Sequence, residues 1–153
     1  MFATSNVVSV VSNNDKDWLV RSTADRFGDG DGACGATVVP GVAGRTAFTL
    51  RVQTGCEERC SYCIIPTTRG AGRSLPISDV LAEVSRVAAA GFKEIALTGV
   101  HLGSYGRDLT PGASLVALLR ALLHTDHDLT FRVSSLEPMD CTPEIVALVA
   151  ASG

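Results

Sequence analysis

Three cysteines fall within eight positions of the stretch RVQTGCEERCSYCIIPTTRG (residues 51–70): Cys56, Cys60 and Cys63, separated by three residues and then by two. Thiolates this close together on one segment can wrap a compact soft-metal centre, and the candidate centres differ in how many ligands they need. A structural zinc needs four. The chain could supply the fourth only from Cys34, Cys141, His101, His124 or His127, none of them at the partner spacing of a second zinc knuckle. A cubic four-iron cluster held by three cysteines leaves one iron without a protein ligand, open to a small molecule. The chain has five cysteines, an odd number, and its N-terminus carries no secretion signal, which favours thiolate or metal chemistry over a disulfide framework. Cys34, in a glycine-rich segment, and Cys141, just before a helix, are expected to be free thiols.

The elements that would carry this loop are legible from periodicity. From Thr46 onward a strand and a helix alternate three times. The strands are TAFTLRVQT, EIALTG and LTFRVSS. The first helix, SDVLAEVSRVAAAG, is expected to use Ser78 as N-cap, to turn Val80, Leu81, Val84, Val87 and Ala88 inward, and to stop at Gly91. The second, SLVALLRALLH, is capped by Ser114 with Leu115, Leu118, Leu119 and Leu122 inward. The third, TPEIVALVAASG, has Thr142 as N-cap, Pro143 at the first helical position and Gly153 as its stop. Successive units of this kind lay their strands parallel, so every loop that follows a strand leaves the same edge of the sheet. Such an edge is where α/β proteins build their sites. The cysteine loop, TGVHLGSYG and SSLEP follow the three strands in turn and are expected to meet there.

Upstream the pattern differs. VVSVV (residues 7–11) reads as a short strand and the segment after it as a helix opened by Asn13 or Asn14, with Trp18, Leu19 and Phe27 as apolar contacts. Residues 28–45 carry six glycines and a proline and read as a linker. The divisions are therefore 1–27, 28–45 and 46–153.

Composition bounds the function. With 153 residues, 46% hydrophobic and 19% charged, the chain suits one ordinary core. It has no apolar run long enough to span a membrane, and the reading is cytoplasmic, with no membrane partner. A formal net charge of -3 argues against bulk electrostatic capture of nucleic acid. Arg51, Arg59, Arg69 and Arg73 nevertheless lie within 23 residues and could form a local basic patch.

The Cys-x3-Cys-x2-Cys spacing after a strand resembles the signature of radical S-adenosylmethionine enzymes. The resemblance implies a partial (β/α) barrel, a 4Fe-4S cluster on Cys56, Cys60 and Cys63, and S-adenosyl-L-methionine chelated at the unligated iron. In that family, electron transfer from the cluster cleaves the cofactor to a 5'-deoxyadenosyl radical, which takes a hydrogen atom from the substrate. RVQTGCEERCSYCIIPTTRGAGRS, EIALTGVHLGSYGRDL and FRVSSLEP together look like the methylthiotransferase branch, which inserts sulfur into a carbon–hydrogen bond and methylates it. VVSVVSNNDKDWLV is similar to the tail of that branch's N-terminal domain. The wording GVHLGSYG most resembles the enzymes acting on N6-threonylcarbamoyladenosine beside the tRNA anticodon. Relatives acting on isopentenyladenosine more often carry Gln-Asn where this chain has Val100-His101, and those acting on a ribosomal protein differ again.

Carried onto this sequence, the resemblance implies that Tyr62 lies beside the adenine and that Thr98, Gly99 and Val100 meet the amino end of the cofactor. Ser134, Ser135 and Glu137 would reach its ribose or carboxylate; the alternative is that both serines cap the strand and Glu137 is solvated. Arg69 could face a cofactor carboxylate or an RNA phosphate, Tyr105 could stack on a base or pack in its turn, and His101 could wall the pocket or be hydrogen-bonded scaffold. The implied partners are a tRNA anticodon stem-loop, an electron donor such as flavodoxin or ferredoxin, and a sulfur source. A second 4Fe-4S cluster of the family needs three further N-terminal cysteines, and only Cys34 precedes Cys56. The chain is therefore expected to be a fragment without turnover of its own, its open strand edges favouring poor solubility or a partner. Two readings of other classes stand beside this: a zinc-stabilised interaction module, and a generic α/β nucleotide-binding domain, which lacks a Gly-x-Gly-x-x-Gly after its first strand.

Overall fold

The structure is a computed structural model that describes Val11, residues 39–41 and residues 46–152. The chain divides at Thr37/Val38, and the described strands and helices all belong to the second unit. The expectations for the strand at 7–11, the helix after it, Cys34 and Gly153 lie outside the described residues, as does most of the linker.

Three parallel strands form the sheet: β1 (Ala47–Arg51), β4 (Glu94–Thr98) and β5 (Thr130–Val133), in the order β1-β4-β5. Ala47 pairs with Glu94 and Arg51 with Thr98, and Glu94 in turn pairs with Thr130 and Leu97 with Val133. The central strand buries Ile95, Ala96 and Leu97 in succession, as a strand covered on both faces does. The crossovers hold α2 (Ile77–Ala89) and α3 (Leu115–Leu123), and α4 (Pro143–Ala151) follows β5. Val80, Val84 and Val87 of α2, Leu115, Leu118, Leu119 and Leu122 of α3, and Ile145 of α4 join Leu50, Ile95 and Leu97 in one core. The α/β fold with three parallel units, expected from the alternation, is the observed one.

The local chemistry matches the expected caps with one exception. Ser114 accepts a hydrogen bond from the Ala117 amide and Thr142 one from the Ile145 amide, so α3 and α4 start where anticipated. Gly91 takes φ 93° just past α2, a left-handed stop that glycine adopts freely. Ser78, by contrast, is not an N-cap. The helix begins two residues earlier, at Ile77 behind Pro76, whose φ of -54° sets the entry without a side-chain cap, and the Ser78 hydroxyl bonds Asp79 instead.

The expected first strand also breaks. At Val52 the amide still donates to Thr98 O (2.9 Å), but the Val52 carbonyl accepts from Leu75 N (2.8 Å). The chain then changes partner: β2 (Gln53–Thr54) pairs antiparallel with β3 (Arg73–Ser74). Between them lie the cysteine loop and a short helix α1 (Ile65–Arg69) that periodicity over so few residues does not reveal. This small hairpin lifts the cysteine loop off the end of the sheet and closes its base, with Cys56 N donating to Gly70 O (3.1 Å).

Candidate functional site

The three loops leaving the carboxyl ends of β1, β4 and β5 are bonded to one another. The first and second meet through Gln53, whose Oε1 accepts from Val100 N (2.9 Å) and His101 N (3.1 Å), and through the Arg107–Glu58 ion pair at 3.1 Å. The second and third meet through Leu102 N to Ser135 O (3.3 Å) and through His101 Nε2 to Asp140 Oδ2 (2.7 Å). Gly103 leaves the room the Asp140 carboxylate occupies, since a Cβ there would collide with it. Convergence of the three segments, expected from strand order alone, is thus realised in named bonds.

Cys56, Cys60 and Cys63 are all free thiols, Cys56 and Cys63 half-buried and Cys60 exposed. The Glu58 amide points at Cys56 Sγ (3.4 Å), and Cys63 N donates to Cys60 O (3.1 Å), closing a tight turn between those two. Among the described residues no three histidine, cysteine or acidic side chains stand within common reach of one metal ion. The fold brings these sulfurs to one loop rather than to one point. The donor set itself fits a soft-metal cluster: three free thiols on one loop, whose final closure metal binding can supply.

The remaining sequence-identified residues divide into those the fold uses and those it leaves available. Tyr105 is 1% exposed and its hydroxyl donates to Leu75 O (2.6 Å), which corrects the base-stacking reading: the ring is packed in its turn. Burial, with lesser contributions from the Asp108 and Asp79 carboxylates, pushes its hydroxyl up to about 12. A phenol held neutral in the fold binds its proton longer than in the unfolded chain. Its contribution to stability is complete below about pH 10 and is lost as pH rises through about 12. Tyr105→Phe is therefore expected to cost about 1–2 kcal/mol at neutral pH through the lost hydrogen bond, and to flatten the decline of chemical-denaturation stability between those two pH values.

His101 is 8% exposed and takes the scaffold role. Its Nε2 is committed to Asp140, and its buried Nδ1 has no hydrogen-bond partner among the described residues, the Glu58 carboxylate standing 4.0 Å away. Ser134 donates its hydroxyl to Leu97 O (2.9 Å) and so closes the strand end. Ser135 is exposed at φ 58°, a backbone region costly for a residue with a Cβ, and Glu137 is exposed beside it. Tyr62, 90% exposed, stands clear of the core on the cysteine loop, and Arg69 is exposed at the end of α1. Thr98, Gly99 and Val100 are half-buried at the end of β4. Arg51, Arg59 and Arg73 are exposed as well. Cys141 is free and exposed. Sequence reading missed Gln53, Asp140 and the Glu58–Arg107 pair. No local signal marked Gln53, which lies in the mixed strand end Arg51-Val52-Gln53-Thr54, and the others depend on which loops become neighbours.

A parallel sheet with three cysteines on a loop at its carboxyl edge defines the class as an α/β domain, and residues 50–153 match the radical SAM superfamily. The chain belongs to that superfamily. Within it, the chain is similar to methylthiotransferases. Threonylcarbamoyladenosine tRNA methylthiotransferase MtaB of Rickettsia prowazekii is 34% identical over 110 residues, 71% of this chain and 26% of that protein. Ribosomal protein uS12 methylthiotransferase RimO of Desulfosudis oleivorans is 38% identical over 100 residues, 65% of this chain and 23% of that protein. The tRNA-2-methylthio-N(6)-dimethylallyladenosine synthase of Chlorobium phaeobacteroides is 32% identical over 132 residues, 86% of this chain and 29% of that protein. The chain spans about a quarter of the length of these relatives. Their identities lie too close together to separate the three substrate classes. Superfamily membership implies a 4Fe-4S cluster and S-adenosylmethionine. No helix among the described residues is long and apolar enough to cross a membrane.

Proposed function

We propose that this chain is the cofactor-binding part of a radical S-adenosylmethionine methylthiotransferase that modifies N6-threonylcarbamoyladenosine in tRNA at C2, beside the anticodon. The observation that carries the reading is the loop at residues 55–64: three free thiols in Cys-x3-Cys-x2-Cys order at the carboxyl edge of a parallel sheet. Cys56, Cys60 and Cys63 hold the 4Fe-4S cluster. Bound there, the cluster with S-adenosyl-L-methionine supplies one-electron cleavage chemistry that a protein side chain does not.

The chain's own residues bind and orient. Thr98, Gly99 and Val100 offer half-buried backbone at the end of β4 for the amino end of the cofactor. Ser135 and Glu137 are exposed on the third loop for its ribose or carboxylate, and Tyr62 is exposed for its adenine. Arg69, exposed at the end of α1, would meet an RNA phosphate or a carboxylate of the cofactor. The threonylcarbamoyl assignment rests on the Val100-His101 wording after β4. The partners on this reading are the tRNA anticodon stem-loop, an electron donor such as flavodoxin or ferredoxin, and a sulfur source, all in the cytoplasm.

Disrupting the coding sequence in its host and analysing digested tRNA by mass spectrometry tests the substrate. Loss of 2-methylthio-N6-threonylcarbamoyladenosine, with the methylthiolated isopentenyladenosine retained, is expected. Loss of the isopentenyl product instead, or of a methylthio group on a ribosomal protein, reassigns the branch. Anaerobic reconstitution tests the cofactor: about four irons per chain are expected. One zinc and no iron would make the loop a structural module.

A further inference from the structure

Gln53 is 2% exposed, a carboxamide buried at the point where the chain leaves the sheet. Both ends of the amide are used, and they reach different loops. Nε2 donates to Gly55 O (2.8 Å) and Thr54 O (3.2 Å), the residues directly before Cys56. Oε1 accepts from the backbone amides of Val100 (2.9 Å) and His101 (3.1 Å), the first turn of the loop after β4. A Cβ at Gly99 would stand 2.9 Å from Gln53 Oε1 and 2.7 Å from Leu102 Cδ2, so the Gly99 backbone lies flush against this amide.

A side chain that served only to fill the core would be apolar, since a buried amide is stable only when its donors and its acceptor are all satisfied. Here the acceptor end is satisfied by a loop that no β-ladder holds at that point among the described residues, and the donor end by Thr54 and Gly55 at the end of β2. Thr98 is the last residue of β4, and beyond it the Val100 and His101 amides have Gln53 as their acceptor.

We propose that Gln53 is a positioning residue that sets the cysteine loop against the loop leaving β4, fixing the separation between the first thiol ligand and the backbone that receives S-adenosylmethionine. This role rests on the cofactor reading proposed for the cysteine loop. The amide acts through Gly55 and through Val100 and His101; it touches neither cluster nor cofactor.

Two variants separate the role from bulk packing. Gln53→Leu keeps roughly the volume and removes both the acceptor and the donor. Gln53→Glu retains an acceptor oxygen for the Val100 and His101 amides but loses the amide donor to Gly55 O. Each full chain is reconstituted anaerobically with iron and sulfide, its iron counted, its melting followed by circular dichroism, and its reduced cluster titrated with S-adenosylmethionine by electron paramagnetic resonance. Gln53→Leu is expected to need about tenfold more S-adenosylmethionine than the native chain to half-complete the spectral change, as loss of buried hydrogen bonds to both loops predicts, and Gln53→Glu, which keeps only the link to the β4 loop, about threefold more. Equal half-saturation in all three chains overturns the proposal. So does a Gln53→Glu chain as weak as Gln53→Leu, or loss of cooperative melting in both variants, which assigns the residue to folding alone. A native chain that takes up no iron, or whose spectrum ignores the cofactor, fails the cofactor reading itself, and that failure is visible before any variant is compared.

Discussion

Cys60→Ala is expected to lower the iron held after anaerobic reconstitution from about four atoms per chain to fewer than about one, because a cluster with three protein ligands does not survive with two. The fold should not notice. Cys60 is exposed, and the hydrogen bond that closes its turn uses its backbone carbonyl, which accepts from Cys63 N and survives the substitution. The melting temperature of the iron-free chain is accordingly expected to move by less than about 2 °C. Cys56→Ala and Cys63→Ala should behave alike in iron, with a slightly larger change in melting for Cys56→Ala, which gives up the Glu58 amide contact to its sulfur. Cys141→Ala is the control: a free, exposed thiol on the third loop, whose loss leaves the iron content unchanged. Colorimetric iron determination beside a thermal melt reads both quantities. Full iron in Cys60→Ala, or the same loss in Cys141→Ala, removes the three-thiol cluster from the account.

Gly55→Ala should have the largest effect on stability of any conservative change in the loop. Gly55 is buried at φ 72°, and a Cβ built there runs into the carbonyl of Ala71, with Gly70 O at 2.9 Å. Two costs add. The left-handed backbone is worth about 1–2 kcal/mol against a residue with a Cβ, and the collision is with main chain, which cannot rotate away. A total of about 3 kcal/mol or more is expected by urea denaturation, with Cys56 displaced because its amide bond to Gly70 O shares the same crossing. Gly70 provides the comparison. Its φ is 73° with ψ -162°, a region essentially confined to glycine, but nothing lies within 4 Å of a built Cβ, so Gly70→Ala should cost only the backbone term, about 1–3 kcal/mol. Equal losses at the two positions would show that the close approach of strand and hairpin is not what Gly55 serves.

How much of the fold and site is legible in the sequence depends on the range of the interactions. The parallel three-strand sheet and the helices at 77–89, 115–123 and 143–151 rest on periodicity and caps, which act within a few residues of chain. Ser114 and Thr142 do what their positions foretold. Ser78 does not, because Pro76 next door offers a stiffer start. The strand break at Val52, the β2–β3 hairpin and α1 were hidden, since two-residue strands and a five-residue helix leave no period to count.

By itself the sequence determined the three thiols, their order, and the edge of the sheet at which their loop emerges, because strand order and right-handed crossover leave little choice once the β/α alternation is read. Only the tertiary structure decided which polar side chains hold that edge together. Gln53 bridges two loops 47 residues apart in sequence, and His101 finds Asp140 across 39. Tyr105 turned inward and Tyr62 outward, although both are aromatic residues in loops. Burial is a property of neighbours in space, and no local pattern around either residue states which neighbours the fold will bring.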